Sequence, residues 1–150
     1  MEAEITARAP ASVANVIVGF DILGFSVPIM YDEVKVRRID EGIRIKSISG
    51  VTTQIPKNPI DNTAGFALLK MIEDENLDFG FEIEIQKGIP LGSGLGGSAA
   101  SAVAAVVAAN GLLKHELTKS KLFQYAIQGE SVASGNFHGD NIGACLYGGL

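Results

Sequence analysis

PLGSGLGGSAAS, residues 90–101, places four glycines within six positions and then continues into the alanine- and valine-rich segment 102–113. This pattern predicts a loop followed by a helix that begins at Ser98 and ends near Leu113. The first amides of a helix have no partner within the helix, and the helix dipole concentrates partial positive charge there. Glycines leave further backbone amides unshielded. We therefore expect a phosphate group to bind where the loop meets the helix.

This glycine-rich loop also suggests three other interpretations. It is not a P-loop, because that pattern needs a lysine after its last glycine and Ser98 follows Gly97 here. Gly92, Gly94 and Gly97 match the GxGxxG dinucleotide-binding fingerprint by letter, but the second strand that the fingerprint requires is missing. A glycine-rich turn that binds nothing is the third alternative. The density of glycines favours the triphosphate cradle of a kinase.

Composition narrows the class of protein. The chain has 150 residues, 47% of them hydrophobic, which suits one domain or a large piece of a longer protein. Twelve lysines and arginines against 17 acidic residues argue against a nucleic-acid partner. The longest apolar run, Ala102–Ala109, is too short to cross a membrane. The single cysteine, Cys145, excludes an internal disulfide and suits a cytoplasmic location.

Hydrophobic periodicity and turn residues predict the secondary structure. We predict strands at 3–8, 34–39, 43–48 and 81–87, with the second and third joined as a hairpin and the fourth half-exposed. Besides the helix at 98–113, we predict helices at 62–75, with Asp61 as N-cap, and at 119–134, with Thr118 as N-cap. Residues 9–24 are predicted as a structured loop, and 138–141 open a final short segment. Strands followed by interleaved helices indicate an α+β fold or an irregular α/β fold.

Phosphoryl transfer from a nucleotide to an alcohol needs a phosphate cradle, a divalent metal and groups that orient the hydroxyl. Ser98, in the first turn of its predicted helix, can direct a hydroxyl to a metal. Glu130 is the best carboxylate candidate, because it lies between the small residues Gly129 and Ser131. The alternative for Glu130 is a solvated helix face.

Two polar groups of residues could contact a substrate. Asn15 and Asp21 share one apolar loop, where they could bind an ammonium or hydroxyl group or bond the amides of the turn. His138, Asp140 and Asn141 lie together between glycines, but their spacing is not that of metal ligands on a helix. The alternatives are that Asp140 caps a helix and that His138 is a surface residue.

Three separated motifs resemble one family in the same order. Residues 90–101 resemble the P-x-x-x-G-L-G-S-S-A motif of the GHMP kinases, which include galactose, homoserine, mevalonate and phosphomevalonate kinases. Gly97 stands where that motif has its first serine, and Ser98 matches the second. APASVANVIVGFDILG at 9–24 and GES…GNFHGDNIGACLYGGL at 129–150 resemble segments of the homoserine kinases within that family.

The resemblance implies ATP-dependent phosphorylation of L-homoserine to O-phospho-L-homoserine in threonine biosynthesis. It implies that Ser98 and Glu130 hold Mg²⁺ and that Asn15, Asp21 and His138 line the homoserine pocket. Asn141 falls where mevalonate-type relatives have a catalytic aspartate; since an amide is no general base, Asp140 is kept as a reserve base. The residues implied at the nucleotide are Asn62, Lys87, Pro90, Leu91, Gly92, Ser93, Gly94, Leu95, Gly96, Gly97, Ser98, Ala99, Ala100 and Ser101.

The same resemblance implies the fold and the extent of the domain. It implies an antiparallel or mixed sheet with packed helices, similar to domain 2 of ribosomal protein S5. Residues 1–150 would be the N-terminal, ATP-binding domain, ending before a C-terminal domain. Without that second half the chain would expose core surface, so we expect it to form a homodimer or to aggregate. Two other hypotheses stay open: another small-molecule kinase of this type, and a non-catalytic module that binds a nucleotide or metabolite.

Overall fold

The computed structural model describes residues 3–13, 25–135 and 139–147. These residues form four strands, four α-helices and one short 3₁₀ turn at Pro59–Asp61. In chain order the elements are β1 (Glu4–Val13), β2 (Phe25–Ile39), β3 (Ile43–Gly50), α1 (Thr63–Asp74), β4 (Gly80–Lys87), α2 (Gly97–Asn110), α3 (Lys119–Ser134) and α4 (Asp140–Tyr147). Across the described ranges, no helix combines the length and the apolar character needed to cross a membrane.

The four strands form one mixed sheet in the order β1-β2-β4-β3. Antiparallel pairing joins β1 to β2 and β2 to β4, whereas β3 and β4 are parallel. A parallel pair cannot be closed by a tight turn, and α1 supplies the crossover between these two strands. Phe81, Ile83 and Ile85 of β4 are buried, as their alternation predicted. The predicted α+β fold with a mixed sheet and packed helices is confirmed.

The predicted hairpin between the second and third strands is wrong. Both strands exist, but β4 lies between them and pairs with each. The turn that joins them passes over the start of β4, where the Phe81 amide donates a hydrogen bond of 2.9 Å to the Gly42 carbonyl. Glu82 explains why β4 lies between β2 and β3. Its side chain is only 3% exposed and accepts hydrogen bonds from Arg37 on β2 and Arg44 on β3. A carboxylate buried there needs a neighbour on both sides.

Glu82 also corrects the expectation that β4 is half-exposed. Burial raises the pKa of Glu82, but the hydrogen bonds from Arg44 and Arg37 outweigh it and hold that pKa below its ordinary value. The carboxylate therefore stays ionised in the sheet although its side chain is covered. Among the outward-facing residues of β4, only Gln86, near the end of the strand, is exposed.

Several boundaries of elements differ from the predictions. The largest difference is at β2, which begins at Phe25 and not at Val34, and α2 ends at Asn110 and not near Leu113. The first strand continues through residues 9–13, predicted as loop, because Ala9 and Ala11 are buried against the sheet. Pro10 is accommodated because β1 pairs only with β2 and its register shifts after this residue. The N-cap of α1 is Asn62 rather than Asp61, since the Asn62 side chain accepts a 3.1 Å hydrogen bond from the Gly65 amide. Residues 14–24 lie outside the described ranges.

The central helix α2 lies between the sheet and the other helices. Eleven of its 14 residues are buried, so it has no solvated face of ordinary width. Alanine dominates the buried positions, and these small side chains let its neighbours pack closely. Thr118 caps α3 as predicted, with its hydroxyl accepting a 3.3 Å hydrogen bond from the Lys121 amide. The first turn of the buried helix α2 follows directly after the glycine-rich loop.

We expect Gly129→Ala to destabilise the protein by about 2 kcal/mol, because α1 and α3 approach each other closely at this position. An added Cβ would lie 2.3 Å from the Thr63 carbonyl oxygen and 2.8 Å from the Ala67 Cβ. In Gly143→Ala, the matched control on α4, the nearest atom would be 3.9 Å away, so the gain in helix propensity of about 0.5–1 kcal/mol dominates. Urea unfolding of both variants measures the difference. Equal stability of the two would refute the close approach.

Candidate nucleotide-binding site

The loop between β4 and α2 has the backbone that its glycines predicted. Gly92, Gly94 and Gly96 have φ angles of +71°, +75° and +69°, in the left-handed region that residues with a side chain rarely adopt. Gly96 is the N-cap of α2 and has no side chain, so no capping side chain accepts hydrogen bonds from the first amides of this helix. The first turn of α2 thus retains backbone amides that can bind an anion.

The loop and the first turn of α2 line a pocket with a volume of about 450 Å³. Nearly every residue that the resemblance placed at the nucleotide borders this pocket. They are Asn62, Lys87, Pro90, Leu91, Gly92, Ser93, Gly94, Leu95, Gly96, Gly97, Ser98 and Ser101. Glu130 and Asn141 also line it, as do Gln54, Ile55 and Pro56 from the connector after β3. Ala99 and Ala100 are instead fully buried in the packed side of α2.

Ser98 and Glu130 come together at the base of the pocket. The Ser98 hydroxyl donates a 3.0 Å hydrogen bond to Oε1 of Glu130, although the two residues belong to different helices. The hydroxyl of Thr63, in the first turn of α1, donates a 3.1 Å hydrogen bond to the Ser98 carbonyl and supports that turn of α2. One hydroxyl and one carboxylate beside a phosphate cradle form an oxygen-only donor set. This set fits Mg²⁺, which takes few protein ligands and completes its shell with water and phosphate.

Asn141 lies on the opposite side of the loop and is held by β1. Its Oδ1 accepts a 2.7 Å hydrogen bond from the Ser12 hydroxyl, and the Ser12 amide donates a 2.8 Å hydrogen bond to the Leu95 carbonyl. Asp140 begins α4, and its Oδ1 accepts a 3.0 Å hydrogen bond from the Asn141 amide. Asp140 does not border the pocket, in agreement with the alternative that it caps a helix.

Lys87 is the sole cation among the described residues that line the pocket. It is only 4% exposed, and its ammonium donates to the Asp32 carboxylate, to the Gly97 carbonyl at 2.9 Å and to the Ser101 hydroxyl at 2.9 Å. These three bonds use all three ammonium protons. The negative charge of a bound triphosphate would therefore be met mainly by backbone amides, the helix dipole and a metal.

Some predicted residues are outside the described ranges, and some important ones were missed. Asn15, Asp21 and His138, predicted at the substrate, lie outside the described ranges. Asp32 and Thr63 were not predicted as functional. A signal for Asp32 exists, because its spacing from Val34 and Val36 places a carboxylate on the apolar face of β2. Ser12 belongs to the 9–24 motif, but no role was predicted for it.

The mixed sheet, with the buried helix α2 that follows a glycine-rich loop, defines the class of domain to which this chain belongs. Residues 62–149 match the family described as GHMP kinases N terminal domain, and the chain belongs to this family. The resemblance on which the fold was predicted is confirmed.

Similar proteins carry more specific names. Homoserine kinase of Xylella fastidiosa is 57% identical over 145 residues, which are 96% of this chain and 45% of that protein. Homoserine kinase of Methanopyrus kandleri is 45% identical over 95% of this chain and 46% of its own length. The crystal structure of homoserine kinase from Cytophaga hutchinsonii, 47% identical, superimposes with a TM-score of 0.93 over 99% of this chain and 48% of that one. The chain spans about half the length of the curated relatives it matches.

A more distant structure shows the fold alone. Mevalonate kinase from methicillin-resistant Staphylococcus aureus is 22% identical and has a TM-score of 0.67, covering 99% of this chain and 51% of that one. The fold is thus shared with a protein whose name specifies a different alcohol. Its likeness carries no argument about the substrate of this chain.

Proposed function

We propose that this chain supplies the nucleotide- and metal-binding half of an enzyme that transfers the γ-phosphoryl group of ATP to the hydroxyl of L-homoserine. The Ser98–Glu130 pair at the uncapped start of α2 carries the proposal, because it combines metal ligands with an anion-binding helix end. The names of the similar proteins support homoserine as the acceptor.

In this proposal the amides of the glycine loop and of the first turn of α2 bind the triphosphate. Ser98 and Glu130 would hold Mg²⁺, which would supply positive charge to neutralise the phosphates. The homoserine oxygen attacks the γ-phosphorus while the bond to the β–γ bridging oxygen breaks, and the products are ADP, a phosphomonoester and the proton of the hydroxyl.

A general base is not required by this arrangement. Asn141 borders the pocket, but its amide cannot take a proton, and Asp140 lies behind it at the helix start. We propose that Asn141 orients the acceptor and that charge stabilisation at the phosphates lowers the barrier. Asn15, Asp21 and His138 remain the proposed contacts to homoserine.

The test is a coupled assay of ADP release by the full-length protein with homoserine, mevalonate, galactose and shikimate as acceptors. We expect kcat/KM for homoserine to exceed that for the other alcohols by at least about 100-fold, since a polar site strongly rejects ligands that leave its groups unpaired. Turnover with a different alcohol would reject homoserine while keeping the kinase. Nucleotide binding without any transfer would favour the non-catalytic module.

A further inference from the structure

Asp32 is a fully buried carboxylate at the inner face of β2, and it does not border the pocket. Its Oδ1 accepts hydrogen bonds of 3.0 Å and 3.1 Å from the amides of Gly88 and Ile89. Its Oδ2 accepts a 2.7 Å hydrogen bond from the Ser101 hydroxyl and a further bond from the Lys87 ammonium. A charge held so far from water is costly unless it is paired and fully hydrogen-bonded, as it is here.

The partners of Asp32 lie on both sides of the glycine loop 90–96. Gly88 and Ile89 come directly before the loop, where the chain leaves β4. Ser101 lies in α2, the helix that directly follows the loop. Lys87 also contacts the end of the loop, because its ammonium donates a 2.9 Å hydrogen bond to the Gly97 carbonyl. One carboxylate therefore connects the entry of the loop to the first turns of the helix that follows.

The position of Lys87 argues against a simple role as a phosphate ligand. Its protons are shared among Asp32, Gly97 and Ser101, and its charge is balanced by the buried carboxylate. A Cβ on Gly97 would lie 3.4 Å from the Lys87 nitrogen, so the ammonium packs directly beneath the first residue of α2. The pair thus contacts the start of α2, whose backbone amides are proposed to bind phosphate.

We infer that Asp32 is a positioning residue for nucleotide binding. It holds the entry of the glycine loop through the Gly88 and Ile89 amides and the exit through Lys87 and Ser101, so that the loop amides converge on the phosphates. This inference rests on the proposed function. It predicts that loss of the Asp32 charge weakens nucleotide binding although Asp32 does not contact the nucleotide. Loops that are not pre-organised spend binding free energy on their own ordering.

The experiment compares Asp32→Asn with Glu82→Gln in the full-length protein. Asparagine keeps an acceptor for the two amides but leaves the Lys87 ammonium without its counter-charge. The control removes another buried carboxylate of the same sheet, whose partners Arg37 and Arg44 lie on strands and not at the loop. Calorimetric titration with Mg·ADP measures affinity without turnover, and steady-state kinetics separate KM for ATP from KM for homoserine.

We expect Asp32→Asn to raise the Kd for Mg·ADP and the KM for ATP at least tenfold, with KM for homoserine within about twofold of the unaltered protein. We expect Glu82→Gln to lower the unfolding midpoint while leaving the Kd within about twofold. Equal Kd values for the two variants, measured well below their unfolding midpoints, would overturn the inference. So would a parallel rise of both KM values, which indicates general loosening of the domain.

A milder variant keeps the test decisive if Asp32→Asn does not fold. Ser101→Ala removes two hydrogen bonds between the Asp32–Lys87 pair and α2, and we expect a three- to fivefold rise in the Kd for Mg·ADP. An unchanged Kd for Ser101→Ala would count against the inference. Because the titration needs no acceptor alcohol, failure of homoserine phosphorylation would leave its outcome readable, whereas absence of Mg·ADP binding in the unaltered protein would overturn the inference as well.

Discussion

Glu130→Gln in the full-length protein is expected to lower kcat for homoserine phosphorylation by at least about 100-fold, and Ser98→Ala by a similar factor. Both substitutions remove an oxygen that the proposal assigns to Mg²⁺. The Ser98 hydroxyl and Oε1 of Glu130 already lie 3.0 Å apart beside the start of α2. Each substitution should therefore also raise the Mg²⁺ concentration needed for half-maximal rate. The measurement is kcat as a function of Mg²⁺ at saturating ATP and homoserine.

The matched control is Glu73→Gln, which neutralises an exposed carboxylate on α1 that pairs with Lys70 at the surface. It should leave both kcat and the Mg²⁺ dependence unchanged, because an exposed pair of this kind contributes little to stability and lies outside the pocket. Near-normal rates in both Glu130→Gln and Ser98→Ala would remove the metal assignment. A loss of rate with unaltered Mg²⁺ dependence would assign the pair a role in positioning instead.

Gly96→Ala is expected to weaken Mg·ADP binding at least tenfold. Its Cβ would lie 2.4 Å from the Ser12 hydroxyl and 2.9 Å from Oδ1 of Asn141. The N-cap of α2 would have to move away from β1 and α4, and the amides after it would move with it. Disrupting the Ser12–Asn141 hydrogen bond would also release the side chain proposed to orient the acceptor. Calorimetric titration gives the Kd, and urea unfolding gives the change in stability.

Gly94→Ala separates this contact from backbone strain. Gly94 has a φ of +75°, close to the +69° of Gly96, so an alanine at either position carries a similar left-handed penalty of about 1–2 kcal/mol. A Cβ on Gly94 would meet no atom within 4 Å. We expect Gly94→Ala to weaken Mg·ADP binding several-fold less than Gly96→Ala. Equal Kd values for the two would mean that strain alone accounts for the effect and that Ser12 and Asn141 do not constrain the loop.

Features that depend on neighbouring residues could be predicted from the sequence. The alternation of Phe81, Ile83 and Ile85 located a strand, and Thr118 marked the first turn of α3. The glycines of 90–101 located the start of α2 and with it the pocket. In each case the deciding hydrogen bond or periodicity lies within a few residues along the chain. The family resemblance then connected these segments in order and supplied the expected ligands.

Other features required knowledge of which distant segments meet. The adjacency of β2 and β3 along the chain predicted a hairpin. Instead β4, which follows α1, lies between them and pairs Glu82 with two arginines. The choice of Asn62 over Asp61 as the cap of α1 depended on the 3₁₀ turn before it.

The Asp32–Lys87–Ser101 cluster joins three elements. Lys87 lies 55 positions and Ser101 lies 69 positions from Asp32 along the chain. No local pattern states that an acid on one strand will meet a lysine at the end of another. Chemistry along the chain therefore determined the loop, the helix start and the candidate ligands. Tertiary structure alone decided what supports them, because the free energy of a buried charge depends on partners brought together only by folding.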